Sequence, residues 1–246
     1  MKNQYFGDIN DYRKYGLIRA LQAETRLRVL VAWMLTPDDD RSDGQLRSYL
    51  GQPDRWQRFD TELCQGLRAL LQANSAPAVA LIERSGLLRN AEYFSEVVPD
   101  DAELRRAWAG RLVQASSRSE LVFLDPDNGL EVPSQPFGRK YSSKYAYWPE
   151  VEQIWQGGAS LLIYQHYRRE KRSTFIPRMV DDLRKRTGAR LVEAFQTPRV
   201  LFILAGQPKH EALLHRAVER VASCWEREVT PAGFVSSTNR PMDPTR

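Results

Sequence analysis

The chain has 246 residues, a formal net charge of +5, a pI near 9.3 and 42% hydrophobic residues. This is enough apolar material for one large α/β domain or two small ones, and the mild positive excess tolerates a polyanion without demanding one. The two cysteines, Cys64 and Cys224, are far apart and in no metal-ligand spacing, no apolar run approaches the roughly 18 residues of a membrane helix, and no apolar signal core follows the first residues, so a cytoplasmic protein without a membrane partner is expected.

Residues 8–24 are predicted helical. Asp8 or Asn10 can cap the helix, and Tyr12, Tyr15, Leu17, Ile18 and Leu21 give it an apolar face. Lys14 offers a fixed positive charge in an opening rich in aromatic residues. Leu27 to Leu35 is predicted as the first strand, running into the acidic loop Thr36-Pro37-Asp38-Asp39-Asp40-Arg41-Ser42-Asp43-Gly44. Asp38 is the first candidate there, at a place where α/β sheets receive a cofactor, although no Gly-x-Gly turn is present. Residues 54–73 are predicted as one helix, with Trp56, Phe59, Leu63, Leu67, Leu70 and Leu71 as a core stripe. Ala78 to Ile82 is predicted as a short buried strand ending in Glu83-Arg84-Ser85-Gly86, where an acid could accept from ribose hydroxyls. A short strand over Tyr93 to Val98 follows, then a helix over 100–115 with Leu104, Trp108 and Leu112 inward.

The centre of the chain is Leu121-Val122-Phe123-Leu124-Asp125-Pro126-Asp127-Asn128-Gly129-Leu130-Glu131. A continuous apolar run is the pattern of a strand buried on both faces, and Pro126 cannot donate to a ladder, so the strand stops at Asp125. Asp125 is expected at the solvent-facing carboxyl end of that strand. Asp125, Asp127 and Glu131 would repel one another unless a cation, a basic side chain or a proton intervenes. A loop then carries Arg139, Lys140 and Lys144 among Tyr141, Tyr145, Tyr147 and Trp148, a composition suited to stacking on single-stranded nucleic acid. A short helix over 149–156 ends at Gly157-Gly158. The strand Ala159 to Tyr164 runs into Gln165-His166, which puts His166 on the same edge as Asp125, with Arg168, Arg169 and Arg172 behind it for phosphates. His210 and His215 are assigned to a surface helix. A helix over 173–187 precedes strands at Arg190–Phe195 and Val200–Leu204. The gap between those strands is too short for a parallel crossover, so they form an antiparallel hairpin. The last helix covers 208–226.

Alternating strands and helices give an α/β, Rossmann-like, mostly parallel sheet of about seven strands, with helices on both faces and a C-terminal antiparallel hairpin. This order resembles the class I S-adenosylmethionine-dependent methyltransferase-like superfamily, in which the last strand inserts antiparallel. Asp125-Pro126-Asp127-Asn128 resembles a departed form of the Asp-Pro-Pro-Tyr motif of nucleic-acid amino-methyltransferases. The opening Phe6-Gly7-Asp8-Ile9-Asn10-Asp11-Tyr12-Arg13-Lys14-Tyr15 resembles a segment of the bacterial 23S ribosomal RNA adenine methyltransferases and the start of the three-cysteine-motif partner proteins. The resemblance implies one methyltransferase-like domain over residues 1–235; the polar stretch 236–246, with two prolines, is expected to be a flexible tail. The same resemblance implies S-adenosylmethionine held by Lys14, Asp38, Glu83 and Ser85, nucleic acid as substrate, and Asp125 accepting from the target amine beside Asp127, while His166 or Lys144 would handle the proton or the phosphate charge if the chemistry is phosphodiester cleavage. An alternative from the acids is a phosphodiesterase holding Mg²⁺ on Asp125, Asp127 and Glu131, with Asp38 as a further ligand. A third reading is a non-catalytic binding partner on the same fold.

Overall fold

The computed structural model describes residues 1–39 and 45–232. The second half of the acidic loop, Asp40 to Gly44, and the tail expected over 236–246 lie outside the described residues. In chain order the structure runs α1 (Ile9–Thr25), β1 (Val29–Ala32), α2 (Pro53–Trp56), α3 (Thr61–Ala73), α4 (Ala80–Ser85), β2 (Ala91–Phe94), α5 (Ala102–Ser116), β3 (Leu121–Leu124) and β4 (Gly129–Leu130). It continues with β5 (Tyr145–Ala146), α6 (Trp148–Gln156), β6 (Ser160–His166), α7 (Arg172–Thr187), β7 (Leu191–Gln196), β8 (Val200–Gly206), α8 (Glu211–Trp225) and β9 (Thr230–Pro231).

The main sheet has seven strands in the order β2-β1-β3-β6-β8-β7-β9. The first four are parallel neighbours, and β8 enters antiparallel between β6 and β7. The expected mostly parallel Rossmann-like sheet and its C-terminal hairpin are therefore present. Alternate strand residues feed two cores, as the period-2 geometry of strands requires. Val31, Phe123, Leu162 and Phe202 pack with α1, α3, α4 and α8, while Ala32, Val122, Ile163 and Ile203 pack with α5, α6 and α7. The approach of α1 to α8 depends on Gly16, where an added Cβ would stand 1.8 Å from the Trp225 ring. Among the described residues no helix is long and apolar enough to cross a membrane.

Four expectations about elements are corrected. The run Ala78 to Ile82 is the start of helix α4, not a strand. A short apolar run fits either state, and here the Asn3 side chain accepts from the Val79 N–H (3.0 Å), tying down the start of the turn. The helix expected over 54–73 is broken in two, because Asp60 caps a new start by accepting from the Leu63 N–H (3.0 Å). Strand β1 stops at Ala32, and Met34 has φ 47°, which turns the chain before Leu35 pairs once with Val97. Leu104 points outward on α5, because that helix turns Arg105, Trp108 and Leu112 inward instead.

Candidate functional site

Because β1, β2, β3 and β6 are parallel, their carboxyl ends share one edge, and open α/β sheets bind ligands at that edge. Asp125 follows β3 and His166 ends β6. The start of α1 lies against them. Asp8 caps the helix, accepting from the N–H groups of Asn10 (2.7 Å) and Asp11 (3.0 Å). One turn on, the buried Lys14 ammonium donates to Asp11 Oδ1 (2.8 Å) and to Asp125 Oδ2 (2.6 Å). Asp11 Oδ2 accepts from the Gly7 N–H (2.9 Å) and the Tyr15 hydroxyl (3.2 Å). The Met1 amino group lies 2.6 Å from Asp127 Oδ1 and donates to the backbone oxygens of Met34 (3.2 Å) and Asp125 (3.1 Å). Thr36 donates to Asp127 Oδ2 (2.7 Å).

The loop from Asp125 to Leu130 is held over β6 by Gln165. Its side-chain oxygen accepts from the Leu130 N–H (2.8 Å), and its amide donates to Asn128 O (3.3 Å). Glycine is required at position 129, where φ is 110° and a Cβ would lie 2.4 Å from Gln165. Tyr164 and His166 close the wall, with the hydroxyl 3.3 Å from Nε2. The result is a cleft of about 40 Å³ lined by Asp8, Asn10, Lys14, Asp127, Tyr164 and His166, among others. Asn10 Oδ1 is buried there with no protein hydrogen-bond partner.

Electrostatically the cleft is unbalanced. Three buried carboxylates, Asp8, Asp11 and Asp125, and the partly buried Asp127 face the ammonium groups of Lys14 and Met1, with Lys2, itself paired to Asp39, acting on Asp127 from beside them. Burial and the charge of Asp11 push Asp8 up to about 7, against its backbone hydrogen bonds and Lys14. Burial also raises Asp125, and the opposing pull of Lys14 and the Met1 amine does not cancel it. Burial acts to lower Lys14, but Asp11 and Asp125 outweigh it and raise its pKa, so Lys14 stays charged. Asp127 moves down, because the Met1 amine and the Thr36 hydroxyl outweigh its burial. The protein packed round His166 lowers its pKa, with Asp127 opposing. The residue as a whole is exposed at the mouth of the cleft.

The predicted site residues divide accordingly. Lys14, Asp125, Asp127 and His166 come together, but Asp125 is only 2% exposed and locked to Lys14, not open to solvent as expected. Glu83 reaches the same edge from helix α4. It accepts from Trp33 Nε1 (2.8 Å) and Ser95 Oγ (2.5 Å), so its carboxylate is already engaged. Ser85 closes α4 by donating to Ile82 O (2.8 Å). Asp38 is exposed and accepts from the Gln4 N–H (3.1 Å). Lys14 lines the cleft, whereas Glu83 and Ser85 lie on α4 and Asp38 on the loop after β1, each with a protein partner of its own. Glu131 is drawn away by the pairing of β4 with β5 and accepts from the Trp148 N–H (3.4 Å). Among the described residues no group of three or more His, Cys, Asp or Glu is placed to hold a metal ion, which removes Asp125, Asp127 and Glu131 as one ligand set.

Of the expected phosphate contacts, Arg139, Lys140 and Arg169 are exposed. Arg168 instead donates to Glu131 O (3.0 Å), and Arg172 stacks on Tyr167 at 4.0 Å and donates to Pro198 O (2.6 Å). His210 is not on the surface: it is buried with Nδ1 2.9 Å from Ser160 Oγ.

Among the cleft's members that the sequence reading missed as site residues, Asp8 and Asp11 carry the charge. The signal was present, since Asp8, Asp11 and Lys14 recur every third residue and so share a helix face. A larger groove, about 560 Å³, runs beside the second half of α1 along Ala20, Phe59, Leu87 and Trp225. Its lining carries Arg19, Arg26, Arg89 and Arg220 against only Asp60 and Glu62, both paired with Arg19, so its charge is positive where the smaller cleft is rich in acids. No family model matches this chain, and no curated protein matches it in sequence.

Proposed function

We propose that the protein is an enzyme acting on nucleic acid, built on a methyltransferase-like sheet, with its reacting groups in the cleft at the carboxyl edge of β3 and β6. The observation that carries the reading is the imbalance of that cleft, where three buried carboxylates and the partly buried Asp127 face the ammonium groups of Lys14 and Met1 and Asp8 is held near 7. Burying such charges is costly, and perturbed titrating groups beside a cleft are the mark of a reacting site. Asp8 then exchanges a proton near neutral pH, His166 stands on the cleft wall as a second group able to carry a proton, Lys14 supplies a fixed positive charge, and Asp11 and Asp125 position Lys14. The exposed cations Arg139, Lys140 and Arg169 and the net charge of +5 suit a polyanionic substrate.

The antiparallel entry of β8 supports the methyltransferase resemblance, and with it S-adenosylmethionine as the cofactor class. The cleft does not fit that molecule as arranged: about 40 Å³ admits a water or two. Mg²⁺ fits no better, since ammonium groups already stand against Asp125 and Asp127. The closed Lys14–Asp125 pair favours one second reading, a non-catalytic nucleic-acid-binding partner on this fold.

The test is turnover of RNA and DNA, with S-adenosylmethionine in one assay and Mg²⁺ in another, by the parent and by Asp8→Asn and His166→Gln. Activity in the parent that falls roughly a hundredfold or more in both variants is the expected result. No turnover in either assay, together with no thermal stabilisation by S-adenosylhomocysteine or Mg²⁺, replaces the enzyme with the binding partner.

A further inference from the structure

The loop that carries the cations and tyrosines presents one aromatic ring to solvent. Tyr147 and Trp148 are buried and Tyr145 is half-buried, whereas Tyr141 is 54% exposed. The Lys140 and Lys144 ammonium groups lie 5.0 and 5.6 Å from the Tyr141 ring centroid. Arg139 is exposed one residue further back.

The backbone holds this arrangement against its own preference. Tyr141 has φ 72° and ψ 6°, the left-handed region that a side chain of this size rarely enters. Asp100 fixes it there, its carboxylate accepting from the N–H groups of Tyr141 (2.8 Å) and Ser143 (2.7 Å). Burial acts to raise Asp100, but those N–H groups outweigh it and lower its pKa, so the anchor stays ionised. Gly138 packs so close to α5 that a Cβ there would lie 2.6 Å from the Ala102 side chain. A strained backbone persists only where its surroundings over-determine it, and such residues gather at binding and reacting sites.

The loop also belongs to the edge that bears the cleft. It packs at the start of α5, which follows the carboxyl end of β2, and it leads into β5, which pairs with β4 just past Asp127. Lys144 O accepts from the Asn128 N–H (2.9 Å), joining the loop directly to the segment of Asp125 and Asp127.

We propose that Tyr141, set between Lys140 and Lys144, is a stacking platform for an unpaired base of single-stranded nucleic acid, with Arg139 and the two lysines on the flanking phosphates. The inference rests on nucleic acid being the ligand of the proposed function. An exposed ring gives the base a π-face whatever its identity, and the cations give the backbone its counter-charge. A base in a duplex keeps its faces covered by its neighbours, so single strands are preferred.

The test is fluorescence anisotropy of the full-length protein with short fluorescein-labelled single-stranded RNA and DNA, and with the same sequences as duplexes, over a range of salt. Tyr141→Ala should weaken single-strand binding roughly tenfold with the salt slope unchanged, Tyr141→Phe should retain it, and Lys140→Met with Lys144→Met should weaken it and flatten the salt slope. As a second measurement, photo-crosslinking of a bromouracil-containing single strand should mark the peptide around Tyr141 in the parent protein. Parent binding that Tyr141→Ala leaves unchanged, with crosslinks elsewhere, overturns the platform and leaves the nucleic-acid reading standing. No binding by the parent overturns both. Tyr141-dependent binding without turnover keeps the platform and removes only the enzyme.

Discussion

Each face of the sheet buries an ion arrangement, and the two are built on opposite terms. On the α5–α6 side, Arg105 donates to both oxygens of Glu150 (2.6 and 2.9 Å), and its Nη2 also reaches Tyr145 O (2.9 Å). Glu150 accepts in turn from the Tyr147 N–H (3.0 Å), and the guanidinium lies 4.6 Å from the Trp108 ring centroid. One charge meets one charge in a bidentate fork, and the pair ties α5 to α6. On the α1 side the acids outnumber the cations, and a cleft opens next to them. A charge-balanced pair serves the fold, even with Arg105 Nη1 buried and without a hydrogen-bond partner. An unbalanced one beside a cleft has a free-energy cost that folding alone does not explain.

The largest effects should come from removing one cation on each side. Arg105→Met leaves Glu150 buried and alone and should cost about 3–5 kcal/mol. Adding Glu150→Leu should restore most of that loss, because the pair is self-contained. Lys14→Met should cost a similar amount, but adding Asp125→Leu should restore much less, because Asp8 and Asp11 still face each other. Urea denaturation of all four variants measures both differences, and equal recovery on the two sides would erase the contrast drawn here.

The next effect is in pH. The folded pKa of Asp8, about 7, lies above its ordinary 3.8, so the fold favours its neutral form. Its stabilisation is therefore complete below about 3.8 and is lost as the pH rises through 7, by no more than about 4 kcal/mol. Asp8→Asn should flatten this decline when denaturation midpoints are compared at pH 5 and pH 8. The same slope in parent and variant would remove Asp8 as the group near neutrality.

The smallest effect distinguishes folding from binding within one loop. Tyr141→Gly relieves the left-handed backbone and should raise stability by about 1 kcal/mol while weakening single-strand binding. A loss of stability in calorimetry would show the Tyr141 ring to be packing the loop instead.

The sheet and the edge of the site were legible in the sequence because buried runs ending in Asp125 and His166 have few other readings. The pairing of those groups was not. Lys14 was visible as a charge on α1, but nothing in its own neighbourhood says that it crosses to Asp125, 111 positions away. The apolar run at 78–82 misled because length and propensity do not separate a buried turn of helix from a short strand. Arg105 was hidden behind Leu104, since a helix with aromatic, leucine and arginine positions in succession has two defensible phases, and only the partner Glu150 decides between them. His210 looked exposed for the same reason, its partner Ser160 being on a distant strand.

The place of β8 also bears on how the protein is made. It lies inside the sheet, hydrogen-bonded to β6 on one side and β7 on the other, yet it is the last of the long strands to leave the ribosome. Until residue 206 has emerged, β6 offers a bare edge of apolar strand, and β7 has no place to dock. Such an edge pairs readily with other chains. A nascent chain stalled between His166 and Val200 would thus be the form most in need of a chaperone, and the finished chain the least.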